Sequence, residues 1–267
     1  MEKIIVIGDI HGRTIWKDIV EKESDADKII FIGDYLDSWN HTPKQMADNF
    51  LDIEAFKVSS DKEVILLMGN HDLSYISPNL RCSGYSVELD ELIGNKISNL
   101  FRQGFIKTFH IEENILFSHA GVTKTWLNNL VNYLNVKSIN VHNQINFINQ
   151  LAKGVPSILG YVDSDKSGYG FSIDQGPLWV RPKSMLSDRL DNLEQIVGHT
   201  SHNEITMFGG DEIKNRVIFI DVFDNINQYL VIEFTDNKLY HKYSIKEIDI
   251  IKEEIDKITE KKTNTNK

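Results

Sequence analysis

Short apolar runs recur along the chain, and each is followed by a polar side chain that has a glycine within two residues. The first run, residues 4–7, consists of three isoleucines and a valine and is followed by Gly8. A continuous run of this length, rich in β-branched side chains, predicts a strand that is buried on both faces. The same pattern predicts four more strands, at residues 29–32, 64–68, 115–117 and 195–197.

Helical patterns separate the early strands. Residues 14–23 and 43–58 carry apolar side chains at helical spacing, with Thr14 placed to cap the first helix and Pro43 in the first turn of the second. The order strand, helix, strand predicts parallel strands that are joined by right-handed crossovers. The chain is therefore expected to have an α/β fold.

The second half of the chain has a less regular pattern. Its predicted elements are a helical or irregular segment at 79–103, a hairpin of residues 105–109 and 115–117, a helix at 138–153, antiparallel strands at 217–221, 229–235 and 239–243, and a helix at 245–258. Residues 154–182 are rich in glycine and predict a long loop, and long loops inside compact domains are often functional.

Composition narrows the class of protein. The 267 residues suit one large domain or two small ones, and no apolar run is long enough to cross a membrane. Cys82 is the only cysteine and the N-terminus lacks a signal-peptide pattern, so we expect a cytoplasmic protein. The net charge of -10 argues against a nucleic-acid polymer as partner. It leaves room for a small phosphorylated substrate, since bound cations can reverse the local charge.

The polar side chains that follow the five strands are carboxylates, imidazoles and one amide. Six of them are candidate metal ligands: Asp9, His11, Asp34, Asn70, His119 and His199. Ligands of α/β proteins bind beyond the carboxyl ends of the strands, so five strands in one sheet could deliver all six side chains to one place. Mixed oxygen and nitrogen donors suit two divalent ions, with Mn²⁺ expected first and Fe²⁺ or Zn²⁺ as alternatives. Two such ions, about 3.5–4 Å apart, can hold an activated hydroxide and clamp phosphoryl oxygens.

His71 follows a candidate ligand and needs a different role. Asp37 lies one short turn beyond Asp34, where its carboxylate could orient the imidazole and stabilise its protonated form. Protonated His71 could then give its proton to a leaving alkoxide. Both residues are therefore candidate catalytic groups, although Asp37 could instead stabilise a turn.

The motifs GDIHG, GDYLD, GNHD, HAG and GH occur in this order between positions 8 and 199. The series resembles the calcineurin-like metallophosphoesterases, and in particular the bacterial and phage phosphoprotein phosphatases. The resemblance implies a four-layer α/β/β/α sandwich. We expect residues 1–243 to form the catalytic domain, with 77–105 and 154–182 as segments that cover the site. Residues 244–267 are expected to form a C-terminal helix and a polar tail. It also implies that Asp9, His11 and Asp34 hold one metal. Asp34 would bridge to a second metal, held also by Asn70, His119 and His199, and His71 with Asp37 would be the acid.

The chain also departs from the family pattern. Ser38 and Trp39 stand where the family has an arginine and a glycine, so one phosphate contact is missing or replaced. Arg181, in a segment that resembles the Trp-x-Arg of bacterial relatives, is a candidate phosphate clamp, with packing on Trp179 as the alternative. Trp39 and Tyr35 could stack on an aromatic leaving group, although packing in the core or at a rim is the commoner role.

These observations predict a dinuclear metal-dependent phosphoesterase that hydrolyses phosphate monoesters, with Asn70 and Arg181 contacting the substrate. A symmetrical dinucleoside tetraphosphatase, or another nucleotide phosphohydrolase, is the enzymatic alternative. A catalytically silent metal-binding module is the alternative outside enzymes. The expected partner is a phosphoprotein or a small phosphoester.

Overall fold

The computed structural model describes residues 2–136, 140–160, 170–209, 215–236 and 240–248. Within these ranges the strands form two sheets. The strands are β1 (Glu2–Ile7), β2 (Lys28–Phe31), β3 (Glu63–Leu67), β4 (Ile106–Lys107), β5 (Phe109–Glu112), β6 (Ile115–Ser118), β7 (Glu194–Val197), β8 (Thr206–Phe208), β9 (Val217–Phe219), β10 (Gln228–Phe234) and β11 (His241–Glu247).

The first sheet has the order β11-β10-β1-β2-β3-β4. Strands β1 to β4 are parallel, as the alternation of strand and helix patterns predicts. Strand β10 returns antiparallel to β1, and β11 pairs antiparallel with β10. The second sheet has the order β5-β6-β7-β9-β8, in which β6, β7 and β9 are parallel and the two edge strands are antiparallel.

Helices cover the outer faces of the two sheets. They are α1 (Ile15–Lys22), α2 (Pro43–Ser59), α3 (Asn70–Leu73), α4 (Val87–Leu89), α5 (Asn95–Gln103), α6 (Lys124–Tyr133), α7 (Val141–Gly154) and α8 (Pro182–Ser187). Residues 90–94 form a π-helical segment between α4 and α5, and short 3₁₀ turns lie at Pro78–Leu80 and Pro156–Leu159.

Alternating side chains of the central strands enter different cores. On β1, Ile4 and Val6 pack between the sheets, against Phe117 of β6 and Ile196 of β7. Their neighbours on β1 pack instead against helices α1 and α2. A strand has a side-chain period of two, so a run that is apolar throughout supplies both cores. This arrangement of layers is the predicted α/β/β/α sandwich.

The predicted hairpin is correct only in its second half. Strand β5 pairs antiparallel with β6. Residues 106–107 instead form β4, which pairs with β3 in the other sheet. The chain passes from one sheet to the other at Thr108, and Asn149 of α7 accepts hydrogen bonds at this point from the backbone N–H groups of Thr108 and Phe109 (3.1 and 3.0 Å). An apolar run alone does not reveal such a change of sheet.

The C-terminal strands also differ from the prediction. Strand β9 is parallel to β7 in the second sheet, whereas β10 and β11 belong to the first sheet, so these strands do not form one antiparallel set. Residues 245–247, predicted to begin a helix, are the end of β11. The rest of that predicted helix and the polar tail lie outside the described residues. Among the helices that the structure describes, none has the length and apolar character to span a bilayer.

Candidate metal centre

The five predicted ligand-bearing loops meet at one end of the two sheets. The prediction of a single sheet is wrong, because β1, β2 and β3 belong to the first sheet whereas β6 and β7 belong to the second. The carboxyl ends of these strands nevertheless point the same way, so their loops converge between the sheets. The six candidate ligands therefore come together although they arise from two layers.

One group of ligand atoms surrounds the amide oxygen of Asn70. Asn70 Oδ1 lies 2.8 Å from His119 Nε2 and 2.9 Å from His199 Nδ1. His119 Nε2 is also 3.3 Å from Asp34 Oδ2. Two imidazole nitrogens, an amide oxygen and a carboxylate oxygen at such separations can share a single cation.

A second group lies on the other side of Asp34. His11 Nε2 is 3.7 Å from Asp34 Oδ2, and the other nitrogen of His11, Nδ1, is 2.8 Å from the carbonyl oxygen of Leu36. Asp9, Asp34 and His119 also bring one ligand atom each within 4.8 Å of one another. Asp34 thus belongs to both groups, as a bridging carboxylate must.

Several site residues have a backbone conformation that is uncommon outside glycine. The φ angles are +44° at His11, +50° at Asp34, +59° at Asp37 and +68° at His199. Residues held in this left-handed region cluster at functional sites, because the surrounding structure has to enforce them. Four such residues around one point support a functional interpretation of this end of the sheets.

Two motif glycines are required by close approach to the carboxylates. A Cβ atom at residue 69 would lie 2.0 Å from Asp34 Oδ1, and one at residue 198 would lie 2.0 Å from Asp9 Oδ1. Any side chain at either position would displace a candidate ligand. The glycines in GNHD and GH therefore serve the geometry of the carboxylates rather than chain flexibility.

The site concentrates buried negative charge. Asp9 and Asp34 are 1% and 2% exposed, and Asp221, which follows β9, is 7% exposed. Burial, together with the charges of Asp221 and Asp34, raises the pKa of Asp9 well above its ordinary value. Burial opposes ionisation of Asp34 too, but the neighbouring His119 and His71 lower its pKa. Such a cluster is stabilised by bound cations.

The remaining donors suit metal binding as well. Burial lowers the pKa of His11, and lowers that of His199 strongly, so both imidazoles are neutral and can act as ligands. Among the described residues, the buried atoms Asp9 Oδ1 and His199 Nε2 have no hydrogen-bond partner. The buried charge, the neutral imidazoles and the unpartnered carboxylate oxygen all fit divalent cations held by the six predicted side chains.

His71 and Asp37 lie beside the metal ligands and are in contact. His71 Nδ1 is 3.0 Å from Asp37 Oδ2, and the hydroxyl of Tyr75 donates to the other carboxylate oxygen of Asp37. Burial opposes protonation of His71, but the charge of Asp34 and the hydrogen bond to Asp37 outweigh it and raise its pKa to about 12. Bound cations act in the opposite direction. Asp37 is thus close enough to His71 to orient its imidazole.

Arginines lie on two sides of the centre. Arg181 Nη1 donates to the Thr200 hydroxyl at 3.1 Å and points to the His199 carbonyl oxygen at 3.4 Å, so it is next to a candidate ligand. Arg13 forms an ion pair with Asp224 and lines a cavity that also includes Ser38 and His71. Asp224 lies 211 positions from Arg13 in the chain, so the sequence around Arg13 does not mark this contact.

Asp72 has a structural role that the sequence pattern does not reveal. Its carboxylate accepts three backbone N–H groups, those of Asp34, Tyr35 and Gly69, each at 2.9 Å. Asp72 is fully buried and joins the turns after β2 and β3. Only the motif position, one residue after His71, could have drawn attention to it.

We expect Asp72→Ala to destabilise the protein by about 3 kcal/mol or more, because three buried donors lose their acceptor, at about 1–3 kcal/mol for each unsatisfied group. Urea unfolding followed by circular dichroism measures the loss. The matched control is Asp61→Ala, at an exposed carboxylate on the surface. Equal stability of the two variants would contradict the role of Asp72.

The fold and the site together define a metal-dependent hydrolase built on a two-sheet sandwich. The model of the calcineurin-like phosphoesterase family matches residues 2–156, and the chain belongs to this family. No curated protein matches the chain. It is a calcineurin-like metallophosphoesterase, and thus a phosphoric ester hydrolase.

The fold is also that of a solved phosphatase structure. A protein serine/threonine phosphatase from Saccharomyces cerevisiae, described as similar to human phosphatase PP5, superposes with a TM-score of 0.54 at 14% identity, over 94% of this chain and 81% of that one. A metallophosphoesterase from Sphaerobacter thermophilus gives a TM-score of 0.44 at 13% identity, over 92% and 88% of the two chains. At 14% identity, the likeness to the yeast phosphatase concerns the fold alone.

Proposed function

We propose that this protein is a dinuclear phosphoesterase that hydrolyses phosphate monoesters and uses two divalent metal ions, with Mn²⁺ as the first candidate. The observation that carries the proposal is the convergence of six ligand side chains around Asp34, with the His71–Asp37 pair beside them. Ordinary loop residues would not bring two carboxylates, three imidazoles and an amide together in a buried cluster.

Each side chain has a role in this proposal. Asp9, His11 and Asp34 hold one cation, and Asp34, Asn70, His119 and His199 hold the other. When bound, two such ions activate water and neutralise the phosphoryl oxygens. The side-chain N–H₂ group of Asn70 donates to a phosphoryl oxygen, and His71 gives its proton to the leaving oxygen while Asp37 holds the imidazole in place.

The test of substrate class is a comparison of kcat/KM for a phosphopeptide and for a symmetrical dinucleoside tetraphosphate, each with Mn²⁺, Fe²⁺ and Zn²⁺. A higher value for the phosphopeptide supports the monoesterase. A higher value for the tetraphosphate supports the alternative nucleotide phosphohydrolase, which the absence of the family arginine at Ser38 leaves open. Absence of turnover of p-nitrophenyl phosphate with every metal would support the silent metal-binding module.

The proposal includes a phosphate contact from Arg181. We expect Arg181→Ala to lower kcat/KM for phosphate monoesters about 10- to 100-fold, because hydrogen bonds to charged groups contribute about 1.5–3 kcal/mol. Arg181→Lys keeps the charge but loses the bidentate geometry, so it should recover only part of the loss. The matched control is Arg102→Ala, at an exposed arginine on α5. Wild-type kinetics in Arg181→Ala would contradict the clamp.

We further propose a cytoplasmic location and a phosphorylated protein or small phosphoester as the partner. The single cysteine, Cys82, supports a reducing compartment. The acidic net charge of -10 favours small phosphorylated groups over nucleic-acid polymers. The catalytic unit proposed is residues 1–243, since His199 contributes a ligand from beyond the residues that match the family model.

A further inference from the structure

Trp39 is the most exposed large hydrophobic side chain of the described residues, and it lies at the mouth of the metal centre. Its relative exposure is 87%, so it packs neither in the core nor against a rim. Tyr35, its nearest aromatic neighbour in the sequence, is fully buried. Of the two aromatic residues that the sequence marked, only Trp39 is free to meet a ligand.

The indole shares a cavity with groups that carry the chemistry. This cavity has a volume of about 190 Å³ and is lined by Trp39, Arg13 and Ser38 together with the candidate ligand His11 and the candidate acid His71. His71 is the group that protonates the leaving oxygen. A leaving group that receives its proton from His71 therefore occupies the cavity that Trp39 borders.

The loop holds Trp39 in place through contacts on both sides of it. The Ser38 hydroxyl accepts the backbone N–H of Asn40 at 3.1 Å, and the backbone N–H of Ser38 points to the sulfur of Met46 at 3.2 Å. Thr42 caps α2 in a capping box with Gln45. The indole is thus exposed on a hydrogen-bonded turn. Because the turn is already ordered, binding a ligand there costs little loop entropy.

We propose that Trp39 forms a stacking subsite for phosphoesters whose leaving group carries a planar aromatic ring. The inference rests on the proposed function and names its substrate class. A planar ring covers the exposed indole face and removes apolar surface of both groups from water, which an alkyl leaving group does far less well. Arg13 lines the same cavity, where it is paired with Asp224.

Steady-state kinetics of the full chain with Mn²⁺ test the subsite on three substrates. Phosphotyrosine and adenosine 5′-monophosphate carry a ring, as an aryl group and as a nucleobase, whereas glycerol 2-phosphate has none. We expect Trp39→Ala to lower kcat/KM about tenfold for whichever ring-bearing substrates the wild type accepts, mainly through KM, since stacking of one ring contributes on that scale. Trp39→Phe should restore most of the loss. Glycerol 2-phosphate should change less than about twofold.

Tyr133→Ala is the matched control, because Tyr133 is 86% exposed on α6 and does not line the cavity. Calorimetry gives a readout that is independent of turnover. Benzylphosphonate should bind about tenfold more tightly than propylphosphonate, and Trp39→Ala should remove that difference.

The outcomes separate the subsite from the proposed function. An equal loss for glycerol 2-phosphate and the ring-bearing substrates, or no loss for either ring, overturns the subsite while the phosphoesterase stands. Benzylphosphonate binding that depends on Trp39, without turnover of any ester, keeps the subsite and overturns the phosphoesterase. Equal binding of both phosphonates to the wild type overturns the subsite.

Discussion

Asp34→Asn is expected to reduce phosphoester hydrolysis more than about 10³-fold. Loss of a single hydrogen bond that stabilises the transition state already costs about 10²–10³-fold in rate, and Asp34 is proposed to hold two cations. Asp34 Oδ2 lies 3.3 Å from His119 Nε2 and 3.7 Å from His11 Nε2, so it is the group common to both predicted metal sites. Asparagine keeps an oxygen of the same shape but carries no charge, so it binds two cations far more weakly than the carboxylate does. The metal content, measured by elemental analysis, should fall from two ions per chain to one or none.

The substitution is a sharp test because asparagine suits the local backbone. Residue 34 has φ of +50°, a conformation that asparagine tolerates better than most residues. The matched control is Asp61→Asn, at an exposed carboxylate, which should leave activity and metal content unchanged. Full metal content with full activity in Asp34→Asn would contradict the bridging role. A wild-type protein that binds metal but hydrolyses no ester, with the metal lost in Asp34→Asn, would favour the silent module.

The candidate ligands could be predicted from the sequence because local signals mark each of them. A buried strand, a glycine and a polar side chain follow one another four times, and the fifth strand is followed by His119 with Gly121 two residues on. The carboxyl ends of such strands are where ligands bind. The glycines owe their positions to steric limits at the same carboxylates, as at Gly69 and Gly198. The motif pattern and the site geometry are therefore two consequences of one constraint.

Other features depend on contacts that no local pattern records. Asp72 accepts backbone hydrogen bonds from residues 34 and 35, which lie 38 and 37 positions away. Strand β10 pairs with β1 across almost the whole chain, so the first sheet cannot be completed from neighbouring runs alone. The five ligand-bearing strands are divided between two sheets for the same reason, because long-range pairing decides which sheet a strand joins.

The last strand shows how pairing overrides a periodic signal. Isoleucines at helical spacing predict a helix that begins at Ile245, yet residues 245–247 are the end of β11. Only this start of the predicted helix lies within the described residues. Ile245 pairs with Leu230 in the middle of β10, and the register runs from Gln228 to Phe234 without a break. Seven paired residues supply hydrogen bonds that a weak helical preference cannot match, and β propensity depends on such context.

His71→Asn is expected to keep both metals yet slow the hydrolysis of esters with poor leaving groups about 10²–10³-fold, within the range of about 10²–10⁴ for general acid catalysis. A poor leaving group needs a proton, which asparagine cannot supply. p-Nitrophenyl phosphate, whose leaving group needs little help, should lose less than about tenfold. Comparing kcat for p-nitrophenyl phosphate and an alkyl phosphate measures the difference. Equal losses on both esters would contradict the acid role.

The pH dependence separates the acid from its orienting carboxylate. His71 acts in its protonated form, and Asp34 and Asp37 raise its pKa against the effect of burial, so activity on alkyl phosphates should fall as pH rises through that pKa. Asp37→Asn keeps an acceptor for Tyr75 and tolerates the left-handed backbone at φ of +59°, but it removes the charge beside His71. The alkaline limb of the kcat profile should therefore move to lower pH in Asp37→Asn and be absent in His71→Asn. An unchanged limb in both variants would mean that another group donates the proton.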